Sequence, residues 1–190
     1  MSHNRCRWCN LKNPLYVAYH DAEWGRPVHD DRMLFEFLVL ESFQAGLSWE
    51  TILNKREHFR TVFDDFDPEI VRLYDEAKIE ALMSDAGIVR NRRKIEAAIR
   101  NASIFLEIQK EWGSFASYIW HFTNGQTISE SGLTCSPLSD RVSMDLKQRG
   151  MGFVGTTIVY SYLQAIGIIW SHDPECDLYL KTPSVCEPNQ

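Results

Sequence analysis

The sequence predicts an all-α protein, and three observations support this fold class. Apolar residues recur at helical spacing through most of the chain. Asparagine, aspartate, serine and proline stand where such segments begin, as helix caps do. Segments that alternate apolar and polar residues, as strands do, are scarce. With 190 residues, 44% of them hydrophobic, the chain can form a substantial core, and we predict one domain over residues 1–190.

The helix signals follow one another along the chain. In chain order, helices are expected at about residues 14–21, 31–41, 49–63, 68–86, 91–112, 114–122, 139–149 and 156–169. The expected N-caps include Asn13, Asp30 or Asp31, Ser48, Asp67, Ser114 and Ser139. Gly87 is expected to end the fourth helix in the left-handed conformation that favours glycine. Residues 123–137 are rich in serine, threonine and glycine, and predict a long surface loop.

Charge and composition exclude several classes of protein. The net charge of −6 provides no general attraction for nucleic acid, so a nucleic-acid surface must be a local basic patch. The N-terminus lacks the apolar core of a signal peptide, and no apolar run approaches the roughly 18 residues of a membrane span. The five cysteines are odd in number and follow no secretion signal, which disfavours a disulfide framework. We therefore expect a soluble intracellular protein.

The segment from Glu41 to Trp49 is the first candidate site. Glu41 follows the apolar run 33–40, so we expect its carboxylate to be buried. A buried carboxylate must be paired, bound to a ligand or shifted in pKa. The turn at Gly46 brings Trp49 back toward it, and an acid beside an aromatic plane suits a planar, electron-poor ligand. The alternative is that Glu41 caps a neighbouring helix beside a core tryptophan.

Residues 139–169 predict two helices joined by a turn that could bind an anion. The turn holds three glycines, Gly152 and Gly155 among them, which let backbone N–H groups approach a ligand closely. The helix that starts at Thr156 directs its positive end the same way, and Lys147 precedes the turn. A helix-hairpin-helix binds a DNA phosphate in this manner. An ordinary αα-hairpin with a glycine turn is the alternative.

A second basic segment is Arg90-Asn91-Arg92-Arg93-Lys94, with four cations in five residues. Centred on Arg92, these side chains could follow a phosphate backbone. The alternative is a solvated helix N-terminus, although cations at that end oppose the helix dipole.

The candidate metal ligands lie at opposite ends of the chain. His172 and Cys176 are four residues apart and face one way on a helical turn. Cys6, with either Cys9 or His20, could complete a set of four. Thiolate and imidazole donors suit tetrahedral zinc, and such a site would join the N-terminal segment to the C-terminal one. Scattered core or surface residues remain the alternative.

Four ordered stretches extend this reading. They are Asn13 to Gly25 (NPLYVAYHDAEWG), Leu40-Glu41 through Gln44-Ala45-Gly46-Leu47-Ser48-Trp49, Asp85-Ala86-Gly87-Ile88 with its basic sequel, and Phe153-Val154-Gly155-Thr156-Thr157-Ile158. Together they resemble the bacterial DNA-3-methyladenine glycosylase I family over residues 6 to about 176.

The resemblance implies a helix-hairpin-helix glycosylase fold, with the hairpin at about 139–169. It also implies a structural zinc held by Cys6, His20, His172 and Cys176. The implied activity is that of a monofunctional glycosylase, which flips 3-methyladenine out of alkylated double-stranded DNA, releases it by hydrolysis and so starts base-excision repair. The free base would be the product. We expect a monomer in the bacterial cytoplasm, with the nucleoid and not at a membrane.

The resemblance also implies roles for individual residues. The base pocket falls on Trp8, Tyr16, Tyr19, Glu41 and Trp49. Glu41 is the expected catalytic residue, because it would accept hydrogen bonds from the adenine N6 amino group and oppose the charge of the cationic base. Independently of the resemblance, the residues themselves suggest the DNA contacts: Leu47 as a hypothetical wedge, with Gly152, Gly155, Thr156, Lys147 and Arg92.

One feature of the larger superfamily is missing from this sequence. That superfamily places an aspartate after the second hairpin helix, where this chain reads Ile169-Trp170-Ser171-His172. Asp173 is expected to point elsewhere, so rate and selectivity would come from the pocket. The alternative functions are a non-catalytic helix-hairpin-helix module that binds damaged DNA, and a zinc-stapled adaptor without DNA affinity.

Overall fold

The computed structural model describes residues 4–179. The helices are α1 (Pro14–Ala22), α2 (Asp31–Gln44), α3 (Trp49–Leu53), α4 (Arg56–Val62), α5 (Pro68–Val71), α6 (Glu76–Ser84), α7 (Arg92–Trp112), α8 (Phe115–His121), α9 (Pro137–Gln148) and α10 (Thr156–Ala165). A 3₁₀ turn, Asp64–Phe66, follows α4, and two short strands, β1 (Ile128–Ser129) and β2 (Ile169–Trp170), pair in parallel. The predicted helical class is confirmed. In the described range no helix combines the length and apolarity that crossing a bilayer requires.

Several predicted boundaries are wrong for identifiable reasons. The helix expected at 49–63 is two helices, α3 and α4, separated at residues 54–55. The helix expected at 156–169 ends at Ala165, because Gly167 turns the chain at a φ of +78° and directs it into β2. A Cβ at Gly167 would lie 2.4 Å from the Arg26 carbonyl carbon, so the backbone approaches too closely for a larger residue. The segment 156–169 is apolar over most of its length, so periodicity could not locate the end of that helix.

Gly87 has a different role from the one predicted. Helix α6 ends at Ser84, and Gly87 is not among the residues with positive φ. A Cβ at Gly87 would lie 2.1 Å from Cδ2 of His58, whose ring bonds the Asp85 carboxylate at 2.8 Å. Glycine is therefore required by the His58 ring and not by a left-handed helix end.

Helix α2 is the central element of the core. Every residue from Leu34 to Phe43 is buried, and the helix packs against α3, α7, α8 and α10. Such all-round burial leaves no solvated face for a polar side chain. The two glutamates of this stretch, Glu36 and Glu41, are therefore both inside the protein.

Candidate functional site

A cavity of about 320 Å³ lies beside the C-terminal end of α2. It is lined by the five side chains predicted to form the base pocket, Trp8, Tyr16, Tyr19, Glu41 and Trp49. They come from the N-terminal segment, α1, α2 and α3, so the fold brings together residues 41 positions apart. Its volume is at the lower end of the roughly 300–1,000 Å³ typical of small-molecule sites.

Glu41 is the acidic group of α2 that faces this cavity. Its side chain is 3% exposed, and Oε2 has no hydrogen-bond partner among the described residues. Burial raises the pKa of Glu41 to about 8, because a charged carboxylate loses hydration there. A buried carboxylate was expected to be paired, bound to a ligand or shifted in pKa, and Glu41 shows the shift in pKa. With this pKa, the side chain is mainly protonated at neutral pH when no ligand occupies the cavity.

Aromatic rings form the walls of the cavity. The rings of Tyr19 and Trp49 have centroids 5.3 Å apart, and those of Trp8 and Tyr16 are 5.4 Å apart. The indole Nε1 of Trp49 is buried without a hydrogen-bond partner in the described structure. Two polar groups that line one cavity, an acid and an indole N–H, thus lack partners. A buried polar group without a hydrogen-bond partner is costly. Such groups are therefore typical of a binding site, where the ligand provides the missing partners.

Other cavity-lining residues were not predicted. They are Trp24, Gln44, Gly132, Leu133, Ser161, Gln164, Ser171 and Asp173. Gly132 and Leu133 belong to the loop that was expected to lie only on the surface. Asp173 was expected to point away, yet it lines the cavity while its Oδ2 accepts the backbone N–H of Arg7 at 2.7 Å. Trp24 and Gln44 lay in stretches that carry the family resemblance, and Ser171 and Asp173 stand where the aspartate of the superfamily was missing.

The turn between α2 and α3 presents Leu47 to solvent. Gly46 adopts a φ of +82°, and the Leu47 N–H donates to the Gln44 carbonyl at 2.6 Å. Ser48 caps α3 as predicted, accepting the N–H of Thr51 at 3.2 Å. Leu47 is 42% exposed, so its side chain is accessible at the surface of this turn.

The turn from α9 to α10 retains part of the predicted anion site. Gly155 is the N-cap of α10 and supplies no side-chain acceptor, so the N–H groups of the first turn remain available to a ligand. The Thr156 hydroxyl bonds that of Ser139 at 2.8 Å. Lys147 is exposed and lines the same groove as Thr156. This end of the hairpin combines a helix N-terminus with a cation.

Gly152 is engaged within the protein. Its N–H donates to Asn101 Oδ1 at 2.9 Å, and its carbonyl accepts from Asn101 Nδ2 at 3.0 Å. A Cβ at this position would lie 3.2 Å from the Ala97 Cβ and closer still to the Arg100 guanidinium. Glycine at this position therefore allows the turn to pack closely against α7, and its N–H is not available to an anion.

The predicted basic segment is not one continuous surface. Arg92 forms ion pairs with Glu76 at 2.8 Å, with Glu80 and with Glu96. Lys94 is buried, and its ammonium donates to the carbonyls of Phe43 and Ala45. Arg92 is thus largely neutralised by neighbouring carboxylates, which weakens its prediction as a phosphate contact.

The four predicted metal ligands lie together. The ligand atoms of Cys6, His20, His172 and Cys176 are all within 4.8 Å of one another, and all four residues are buried. His172 Nδ1 is 3.3 Å from the Cys6 sulfur and 3.5 Å from the Cys176 sulfur. His20 Nε2 is 3.6 Å from the Cys176 sulfur. This arrangement favours His20 over Cys9 as the fourth ligand.

Within the described residues, Cys9 and Cys135 do not belong to this group. The Cys9 sulfur instead lies 3.7 Å from the Tyr16 carbonyl oxygen. Cys135 is exposed, and Cys186 lies outside the described residues.

The surroundings of the group fit a zinc ion. Two thiols and two imidazoles are a common tetrahedral donor set for Zn²⁺. The other ring nitrogen of His20, Nδ1, is 2.8 Å from the Asp21 carboxylate, as is usual for a metal-bound histidine. The Arg5 guanidinium, together with His20, lowers the pKa of Asp21 to about 2. Burial lowers the pKa of His172 to about 4, so its imidazole is neutral and free to coordinate.

Comparison with known proteins agrees with this geometry. A family model described as methyladenine glycosylase matches residues 8–179. DNA-3-methyladenine glycosylase 1 of Escherichia coli (strain K12) is 46% identical over 182 residues, which cover 92% of this chain and 96% of that protein.

Two solved structures share the fold. A crystal structure of 3-methyladenine DNA glycosylase I has a TM-score of 0.88 at 44% identity, covering 92% of this chain and 98% of the other. A variant of 3-methyladenine DNA glycosylase I in complex with 3-methyladenine has a TM-score of 0.87 at 35% identity, covering 96% and 100%.

Proposed function

This chain belongs to the methyladenine glycosylase family, and from that premise we propose that it is a monofunctional DNA glycosylase that hydrolytically releases 3-methyladenine from alkylated double-stranded DNA. The observation that carries the proposal is the cavity in which Glu41 and Trp49 lack polar partners between aromatic walls. Removal of the base would start base-excision repair. The protein would therefore act in the bacterial cytoplasm, at the nucleoid.

The chemistry needs little help from a general acid. The methylated adenine is cationic, so the bond from C1′ of the deoxyribose to N9 is already weak. When it breaks, its electron pair stays on N9 and neutralises the ring, and water supplies oxygen to C1′ while losing a proton. The Tyr19 and Trp49 rings are placed to stack on the cationic ring. Normal adenine is uncharged and gains less from such a pocket.

Glu41 has a role that depends on its burial. A cationic base favours the carboxylate over the protonated acid, so binding would release the proton that Glu41 holds at neutral pH. The carboxylate then opposes the ring charge and accepts from the N6 amino group. Charge thus develops only when the matching ligand is present, which we propose as the source of selectivity.

Binding to DNA is assigned to two exposed turns. The first turn of α10, with Gly155, Thr156 and nearby Lys147, would bind a backbone phosphate. Leu47 would enter the duplex position that the flipped base leaves. Replacement of Leu47 by alanine should weaken binding to a duplex with an abasic site, and unchanged affinity would argue against the wedge.

The decisive test is release of free 3-methyladenine from methylated duplex DNA, measured by chromatography of the released base. Wild type should release the base, and Glu41→Gln should do so at least about tenfold more slowly while remaining folded. Glu107→Gln is the matched control, since this glutamate is exposed on α7. Duplex binding without base release would instead support the non-catalytic damage-binding module.

We further propose a structural zinc at Cys6, His20, His172 and Cys176. The distances between the donors and the Asp21 contact of His20 support this assignment. Metal analysis of the purified protein should find one zinc per chain, and Cys176→Ser should lose it together with thermal stability. Cys135→Ser, at an exposed cysteine, should retain the metal. A wild-type protein without zinc would refute the site.

The rest of the architecture is also proposed. The chain would form a single helix-hairpin-helix domain, because the buried residues from Cys6 to Cys176 make one continuous core cluster. It would act as a monomer. A duplex titration at increasing salt separates this reading from an adaptor without DNA affinity, because phosphate contacts make binding weaken with salt.

A further inference from the structure

Lys94 is a buried cation whose charge is offset by no carboxylate of the described residues. Its side chain is 5% exposed, and no ion pair to it occurs among residues 4–179. The ammonium donates to the Phe43 carbonyl at 2.8 Å and to the Ala45 carbonyl at 2.7 Å. Burial lowers the pKa of Lys94, as expected for a desolvated ammonium. Burying a charge is costly unless hydrogen bonds compensate it, and here the two carbonyl acceptors provide that compensation.

Both acceptors lie where α2 ends and the Leu47 turn begins. The last carbonyls of a helix have no partner within it and form the negative end of its dipole. Ala45 is the C-cap of α2, and it begins the turn that exposes Leu47. The ammonium therefore fixes the first residue of this turn, two positions before Leu47.

The helix that carries Lys94 also holds the hairpin. Asn101, seven positions later on α7, exchanges two hydrogen bonds with Gly152. Seven residues of an α-helix span about 10 Å. Phe153 follows Gly152, and its ring centroid lies 5.9 Å from the Lys94 ammonium. The backbone carbonyl of Phe153 accepts a hydrogen bond from the Ser42 hydroxyl at 3.3 Å. Helix α7 thus connects the two turns that are assigned to DNA.

We propose that Lys94 is a positioning residue for base flipping, which holds the Leu47 turn at a set distance from the hairpin that binds the phosphate. The inference rests on the proposed glycosylase function. A wedge must enter the duplex at a defined distance from the bound phosphate, and α7 supplies that distance as a rigid element. Lys94 would not touch the base or the DNA.

The test separates flipping from base binding. Lys94→Met removes the ammonium and nearly preserves the length of the side chain. Release from methylated duplex should fall by about tenfold or more, since small misplacements have large effects on rate. Release from methylated single strands, which need no wedge, and affinity for free 3-methyladenine should stay within about threefold. Lys110→Met, an exposed charge loss on the same helix, is the control.

A double-mutant cycle tests whether Lys94 acts through Leu47. If it does, Lys94→Met should have little further effect on duplex release in a Leu47→Ala background. Additive losses, or equal losses on duplex, single strand and free base, would overturn the inference. Lys94→Gln, which keeps a neutral donor, replaces the methionine variant if that fails to fold. If wild type releases no base, the proposed function fails. Release by wild type with an unaffected Lys94→Met refutes only the positioning role.

Discussion

Helix α2 carries two buried glutamates with opposite surroundings. Glu36 is 6% exposed and accepts from Arg56 at 2.5 Å and from Arg60 at 2.9 Å. Arg56 in turn bonds Glu23 at 2.6 Å. Glu41, five positions later, is 3% exposed and has an oxygen without a partner. The same side chain on the same helix is thus neutralised internally in one place and left unpaired in the other.

The difference shows how to distinguish a structural acid from a functional one. Burial alone does not mark Glu41, because Glu36 is almost as buried. Glu41 differs because none of the described residues provides it with a cation, and it borders an aromatic cavity in which a cationic ligand could supply the charge. The following variants test this contrast, beginning with the largest expected effect.

The pH dependence of stability should reveal the unpaired acid. The pKa of Glu41 is raised from 4.5 to about 8, so the native state binds more protons than the unfolded state between these values, and stability falls as pH rises through this window. Glu41→Gln does not titrate. From pH 4.5 to 8.5 wild type should lose up to about 5 kcal/mol relative to the variant, measured by urea denaturation. A constant difference would contradict the shifted pKa.

Glu36→Gln should lower the stability of the protein and leave its affinity for the base unchanged. Removing this carboxylate leaves the buried Arg56 guanidinium short of a partner, which should destabilise the protein by about 3 kcal/mol. Denaturation at pH 7 measures the loss, with Glu107→Gln as the control for the substitution itself. Affinity for free 3-methyladenine should be retained by the folded protein. If Glu36→Gln were as stable as wild type, the pairing would not be what permits burial of this acid.

The affinity for a permanently charged ligand should depend on pH, because it follows the ionisation of Glu41. The cation 3,9-dimethyladeninium needs the carboxylate form, so its affinity should rise about tenfold per unit between pH 6 and 8. The same titration of Glu41→Gln by calorimetry should be nearly flat. Equal pH dependence in both proteins would assign the titration to another group.

The indole N–H of Trp49 is expected to give the smallest effect. Because Nε1 lacks a partner in the ligand-free protein, Trp49→Phe should change the free energy of unfolding by less than about 1 kcal/mol. Affinity for the free base should fall about fivefold, since a donor to the ligand is lost. Thermal melts and a binding titration of the same preparation compare the two quantities. A large loss of stability with unchanged affinity would make Trp49 a core residue.

The sequence could predict what local patterns determine. Asn13, Ser48 and Ser114 cap helices as expected, since capping depends only on neighbours within three residues. The depth of Glu41 followed from the apolar run before it. The interaction partners of Arg92 and Lys94 could not be predicted in this way, although both residues stand in one basic segment. One meets carboxylates of α6 and the other meets carbonyls of α2, 49 to 51 positions away. Such partners depend on tertiary packing, which periodicity does not encode.

The Cys/His group has a further consequence for the chain as a polymer. Cys6 and His172 are 166 positions apart, so a metal bound by this group would close nearly the whole chain into a ring. Closing a ring of this size restricts the unfolded state by roughly 5 kcal/mol. A single cleavage in the exposed loop at Leu133 would then open the ring without separating its two halves. In denaturant, where the packing of the core no longer holds them together, the halves would come apart only when a chelator removed the ion.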